Sequence, residues 1–264
     1  MDYPDIIYTK EKGIATVTLN RPDSRNSFSG EMLNSVLHAL DDSAKDKEIK
    51  VLVITGKGPA FCAGADVKAM AANTYLPRSE DKQASPAPRY DQLAVVLRKL
   101  DKPVIASING VAAGGGLYLA CSCDIRIASD RARFSAVNIR RGTIPGNGGS
   151  FLLPRLVGID RACLLIWTGD MVDAREAERI GLVTMVVPHE ELEIATRELA
   201  MKLAKGPPLA IQKAKRAIYD GLTMDLESHL DYVAHMMKEL RETEDHKEGA
   251  RAFVEKREPV FKGR

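Results

Sequence analysis

The stretch Asn109-Gly110-Val111-Ala112-Ala113-Gly114-Gly115-Gly116-Leu117-Tyr118 decides how the chain is read. The apolar run just before it, Pro103 to Ile108, has the character of a buried strand. Three consecutive glycines then open a predicted helix. Glycine there lets another molecule approach the backbone closely, because no Cβ stands in the way. The first helical turn also carries N–H groups without internal partners. Such donors bind an anion, or an oxygen that becomes anionic during a reaction. A packing turn that merely needs small residues explains a lone glycine triplet equally well, so the rest of the chain has to decide.

Upstream, Val51 to Thr55 is a second short apolar run, again of buried-strand type. It leads into Phe61-Cys62-Ala63-Gly64-Ala65-Asp66-Val67-Lys68, another small-residue stretch with a helix start. Strand, small residues and helix start therefore occur twice. Gly13 to Asn20 alternates in a strand-like manner, and Arg21 to Asn26 is a turn-rich loop. From Ser29 the apolar residues Met32, Leu33, Val36, Leu37 and Leu40 follow helical spacing. Residues 71–91 are polar and irregular and read as a mobile segment or lid, with Glu80, Asp81, Arg89, Tyr90 and Asp91 as charged or aromatic candidates.

Downstream, Asp124 to Ala128 and Ala132 to Ile139 are predicted strands; on the second, Asn138 and Arg140 would share a face. Gly142 to Gly149 forms a loop feeding a helix. Ala174 to Leu182 is helical and Val183 to Val187 is the last strand. Beyond Pro188 almost everything has helical periodicity. The reading is α/β, with a body over residues 1–200 and a helical region over 201–264.

Composition limits the function classes. The chain has 264 residues, 45% hydrophobic and 28% charged, and a net charge of +2, which gives no electrostatic case for nucleic acid. Cys62, Cys121, Cys123 and Cys163 show neither metal-ligand spacing nor a disulfide framework, so a reducing compartment is the simplest inference. The five histidines form no metal motif. With no signal peptide visible in Met1 to Asp5 and no span-length apolar run, the expectation is a cytoplasmic protein without a membrane role.

Taken together, Asn20-Arg21-Pro22 with Asn26, Phe61 to Lys68, Asn109 to Gly116, Cys123-Asp124, Gly142-Thr143-Ile144-Pro145-Gly146 with Gly148-Gly149, Pro154-Arg155 and Ala252 to Arg257 resemble the crotonase superfamily, which includes enoyl-CoA hydratases and isomerases. The matches run in order through nearly the whole chain. The resemblance implies a crotonase-like spiral of ββα units with a C-terminal helical trimerisation region, a homotrimer or homohexamer, and a CoA thioester as substrate with no separate cofactor and no metal. It implies that the backbone N–H groups of Ala65 and Gly115 stabilise the thioester oxyanion. It places CoA along Ser24, Arg25, Ala63, Ala65, Asp66, Val67 and Lys68, with Lys256 reaching it, in some relatives from a neighbouring subunit.

The pattern fails at the acid/base positions. Hydratases of the superfamily carry two glutamates; here Tyr118 and Asn138 occupy those positions. A third position, an aspartate in some relatives, is Gly146. Asn138 cannot take up a proton and can only orient a water or polar group. Tyr118 would serve as a general acid, or as a base if its pKa of about 10 were lowered. Gly146 can still donate its N–H. Three readings follow: a hydratase- or isomerase-type enzyme with altered acid/base groups, a decarboxylase or C–C-cleaving lyase, and a CoA-binding protein without chemistry.

Overall fold

The computed structural model describes residues 3–66 and 90–264, with side chains omitted for Tyr90 and Asp91. Val67, Lys68 and the candidate lid charges therefore lie outside the described residues.

Two sheets organise the body. β1 (Ile6–Glu11), β2 (Ile14–Leu19), β3 (Val51–Gly56), β5 (Val104–Ile108), β7 (Ile125–Ser129) and β10 (Met185–Val187) form a six-stranded sheet in that order. Only the β1–β2 pair is antiparallel. β4 (Ala60–Cys62), β6 (Val111–Ala113), β8 (Arg133–Ser135) and β9 (Met171–Asp173) form the second sheet. Consecutive strands alternate between the two: β3 then β4, β5 then β6, β7 then β8. Each step along the chain adds one strand to each sheet, and this is the ββα spiral expected from the resemblance.

The apolar runs are explained by cover on both faces. β5 is buried along its whole length, and so are the first four residues of β3. On one face lies the main core, with Val17, Leu19, Leu52, Ile54, Val104 and Ala106 against α1 (Gly30–Lys45), α2 (Tyr90–Lys99) and α3 (Gly115–Ser122). On the other, Val51, Val53, Ile105 and Ile127 pack on Leu192 and Ala200 of α7 (Leu192–Ala204). Position 200 thus lies within a helix that packs on the body.

Local signals set the helix ends. Ser29 caps α1 by accepting from the Met32 N–H at 3.0 Å. α4 (Gly149–Val157), α5 (Ile159–Thr168) and α6 (Ala174–Arg179) follow the second sheet, and α8 (Pro208–Gly221), α9 (Leu226–Arg241) and α10 (Glu244–Glu255) form the helical tail. Asp225 and Thr243 cap α9 and α10. The tail is fixed to the body by Lys215, 7% exposed, whose ammonium donates to Asp124 Oδ2 and to the Leu97 and Lys102 carbonyls.

One expectation is corrected. The strand predicted over Ala132 to Ile139 ends at Ser135, and residues Val137–Arg141 form a 3-10 turn. Asn138 and Arg140 therefore do not share a strand face: Arg140 pairs with Asp170, while Asn138 turns toward Tyr118.

Candidate active site

The two small-residue turns meet. Gly64 sits at φ 84°, and a Cβ built on it would fall 2.5 Å from the Ala113 carbonyl oxygen and 2.9 Å from the Gly115 nitrogen. Backbone is packed on backbone here, so only glycine fits. The Gly64 N–H points to Cys62 Sγ at 3.4 Å and its carbonyl accepts from the Phe28 N–H at 2.8 Å. These bonds fix the orientation of the peptide that leads into Ala65. Burial pushes the Cys62 thiol up to about 12, so it remains a protonated packing group.

Gly115 is the first residue of α3, following Gly114 at φ 50°. Its N–H belongs to the group that a helix cannot satisfy internally. Among the described residues, no backbone carbonyl accepts from the N–H of Ala65 or of Gly115. A Cβ on Gly115 would lie 3.1 Å from the Phe28 ring and 3.1 Å from Asn147 Nδ2. The space beside Gly115 is thus walled by an aromatic ring and a carboxamide. Gly116 behaves differently: its Cβ position is filled by the Cys62 carbonyl, 2.0 Å away. Of the triplet, the third glycine packs on backbone and the second meets only the side chains of Phe28 and Asn147.

Tyr118 and Asn138 are brought together. Tyr118 is 1% exposed, its ring lies on Gly149 with no room for a Cβ, and its hydroxyl donates to Asn138 Oδ1 at 2.7 Å. Burial holds the phenol well above its usual value, so it stays neutral. The pKa depression that base catalysis would require is absent, and the hydroxyl proton is engaged by a neutral acceptor. Asn138 Oδ1 in turn lies 3.7 Å from where a Gly114 Cβ would stand. Gly146 is exposed in the turn before α4, with open space around its Cβ position.

The loop of Ser24 and Arg25 is laced to the same region. The Ala63 N–H donates to the Arg25 carbonyl at 2.9 Å. Asn26, fully buried, donates to the Lys57 and Ala60 carbonyls and accepts from the Arg21 N–H. Arg25, at φ 53°, is exposed. Asp66 lies 3.6 Å from the Arg21 guanidinium, which also reaches Asp5 at 3.5 Å. Lys256 stands apart, exposed at the left-handed end of α10, and has no hydrogen bond or ion pair with the other candidates among the described residues. Among the described residues there is no group of three or more His, Cys, Asp or Glu that could hold a metal, and no helix long and apolar enough to cross a membrane.

Sequence reasoning missed Phe28 and the side chain of Asn147 as walls of the slot. The signal for Asn147 was its place between Gly146 and Gly148 in a turn, where asparagine tolerates the left-handed backbone.

Comparison with known proteins gives the family. The sequence pattern of the family described as Enoyl-CoA hydratase/isomerase matches residues 9–264. The short-chain-enoyl-CoA hydratase of Clostridium acetobutylicum is 38% identical over 259 residues, 97% of each chain. The 2,3-dehydroadipyl-CoA hydratase of Escherichia coli K12 is 37% identical, over 98% of this chain and 99% of that one. A crystal structure of enoyl-CoA hydratase from Bacillus anthracis superposes with a TM-score of 0.89 at 36% identity, covering 98% of this chain and all of the other. With its two interleaved sheets, its paired glycine turns and these full-length matches, the chain belongs to the enoyl-CoA hydratase/isomerase family of the crotonase superfamily.

Proposed function

We propose that the chain binds an acyl-CoA thioester with its carbonyl oxygen between the N–H groups of Ala65 and Gly115, and processes it through an enolate or related oxyanion held there. The observation that supports this reading is the close packing of Gly64, the residue before Ala65, on Ala113 and Gly115, whose O and N lie 2.5 and 2.9 Å from where a Gly64 Cβ would stand. Preorganised donors of this kind act where charge develops, and removal of one costs about 3 kcal/mol of barrier lowering. CoA lies along Ser24, Arg25, Ala63 and Asp66, and continues toward Val67 and Lys68. Arg25, exposed and without a carboxylate partner among the described residues, faces the phosphates. Lys256 reaches CoA from a second subunit, in a homotrimer or pair of trimers. The exposed apolar side chains Leu222, Leu226 and Leu230 on and between α8 and α9, and Phe253 on α10, support such assembly.

The proton chemistry differs from that of a glutamate-pair hydratase. Tyr118, Asn138 and Gly146 offer no carboxylate, and Tyr118 remains a neutral donor. Asn138 orients water or substrate, and Gly146 offers its N–H. This specific observation favours a second reading, decarboxylation or C–C cleavage. In decarboxylation the bond from Cα to the carboxylate breaks, carbon dioxide leaves, and the electron pair moves onto the thioester oxygen without any base. A panel of 2-enoyl-, 3-enoyl- and malonyl-type CoA thioesters, followed by mass spectrometry, separates the readings. Water addition or double-bond migration supports the first and loss of 44 Da supports the second. Tight binding without turnover of any of them would leave a CoA-thioester-binding protein.

A further inference from the structure

The slot at Gly115 holds one side-chain N–H donor that the protein does not use, that of Asn147, and Asn138, beside the neighbouring Gly114, carries another. Tyr118 occupies Asn138 Oδ1 with its hydroxyl proton, which fixes that carboxamide with Nδ2 on its other side. Among the described residues, Asn138 Nδ2 has no hydrogen-bond acceptor, and neither has Asn147 Nδ2. Asn147 Nδ2 stands 3.1 Å from the Cβ position of Gly115, held there by a backbone at φ 52°. Phe28, Leu93, Ala94 and Leu119 make most of the remaining wall of the small cavity that Asn147 and Gly115 share, together with Ser122, whose hydroxyl is spent on the Tyr118 carbonyl at 2.7 Å. Asp66, in the first small-residue turn, lies 3.6 Å from the Arg21 guanidinium.

A hydrocarbon acyl chain entering this slot would strip water from both carboxamides and return nothing. Sites with buried donors reject ligands that leave those donors unpaired. We propose, building on the oxyanion reading above, that Asn147, assisted by Asn138, is a specificity-determining residue that binds an oxygen on the β carbon of the acyl group. The substrate class is then an acyl-CoA thioester bearing a 3-oxo, 3-hydroxy or carboxylate oxygen, in preference to a plain saturated or 2-enoyl chain. Among the described residues the cavity lining presents no carboxylate, and neutral amide donors accept an oxygen without repelling an anion.

The test is calorimetric titration of the full-length protein with butyryl-CoA, acetoacetyl-CoA, 3-hydroxybutyryl-CoA and malonyl-CoA. The expected result is at least tenfold tighter binding of one or more oxygenated thioesters than of butyryl-CoA. Asn147→Gly keeps the left-handed backbone and removes the carboxamide. It should bring that ratio to within threefold. Asn147→Asp, an acceptor without donors, should weaken malonyl-CoA more than butyryl-CoA. Equal affinities in the parent protein, or a preserved ratio in Asn147→Gly, would overturn the proposal. Failure to bind any of the four thioesters would instead overturn the oxyanion reading on which it rests.

Discussion

Gly115→Ala separates the architecture of the site from its chemistry. Gly115 has an ordinary helical φ, so alanine is allowed there, and it is a better helix residue than glycine by about 0.5–1 kcal/mol. The new methyl would sit 3.1 Å from the Phe28 ring and 3.1 Å from Asn147 Nδ2. Both are side chains rather than backbone, so a shift of a few tenths of an ångström relieves the contact. The two effects oppose each other, and the melting midpoint should change by no more than about 4–5 °C, corresponding to roughly 1–2 kcal/mol in a chain of this size. The same methyl stands in the slot that the thioester must enter to reach the Gly115 N–H. Loss of one oxyanion donor costs about 3 kcal/mol, or roughly 100-fold in kcat at 1.36 kcal/mol per decade. The assay is turnover of whichever thioester the panel identifies, alongside a thermal melt. A folded Gly115→Ala variant that keeps turnover within about threefold of the parent would refute the reasoning.

Four further outcomes follow. Tyr118→Phe should leave the pH–rate profile unchanged between pH 6 and 9, because the buried phenol does not ionise there; a lost or shifted limb would make Tyr118 an acid/base group. Tyr8, Tyr118 and Tyr219 all have raised pKa values, Tyr8 about 12, mainly through burial. Above pH ~10 the unfolded phenols lose protons while the folded ones keep them, so stability is fully present below pH 10 and falls as pH rises; chemical denaturation at pH 8 and pH 11 measures this, and Tyr118→Phe should shrink the fall. Lys215→Met should destabilise by about 3–5 kcal/mol, because it strands the Asp124 carboxylate that Lys215, Tyr219 and the Val104 N–H share; urea unfolding is the check. Asn138→Glu should raise crotonyl-CoA hydration at least tenfold over the parent, read by loss of enoyl absorbance, if the missing carboxylate is what limits that reaction.

Much of the fold was legible because local chemistry and tertiary structure agree. The apolar runs at Val51 and Val104 are continuous because both faces of the six-stranded sheet are covered, and Ser29 and Asp225 cap the helices that their positions announce. Of the second sheet only β8 was legible, within the strand expected over Ala132 to Ile139. Its strands are three residues long, too short to show a period, and their pairing is set by contacts of Gly110 and Gly116 with distant backbone. The strand Ile6–Glu11 carries Lys10 and Glu11 and is mostly exposed, as an edge strand should be, and so lacks an apolar signature. Around Asn138 the period misled: Phe134 and Ala136 are buried as in a strand, yet the chain tightens into a turn that delivers the carboxamide to Tyr118.

At the candidate site, the small residues at 63–65 and 114–116 showed where backbone must be approached closely, and the resemblance assigned the oxyanion roles. What no single stretch displayed was the pairing of Tyr118 with Asn138 or the position of Asn147 over Gly115. Both arise where segments about 20 and 30 residues apart in sequence come together in space.

The most direct measurement is a crystal structure of the protein with acetoacetyl-CoA bound. The account predicts the thioester oxygen within about 2.7–3.1 Å of both the Ala65 and the Gly115 nitrogens. A thioester oxygen more than about 4 Å from either nitrogen, or either N–H already bonded to a carbonyl of the protein, would contradict it.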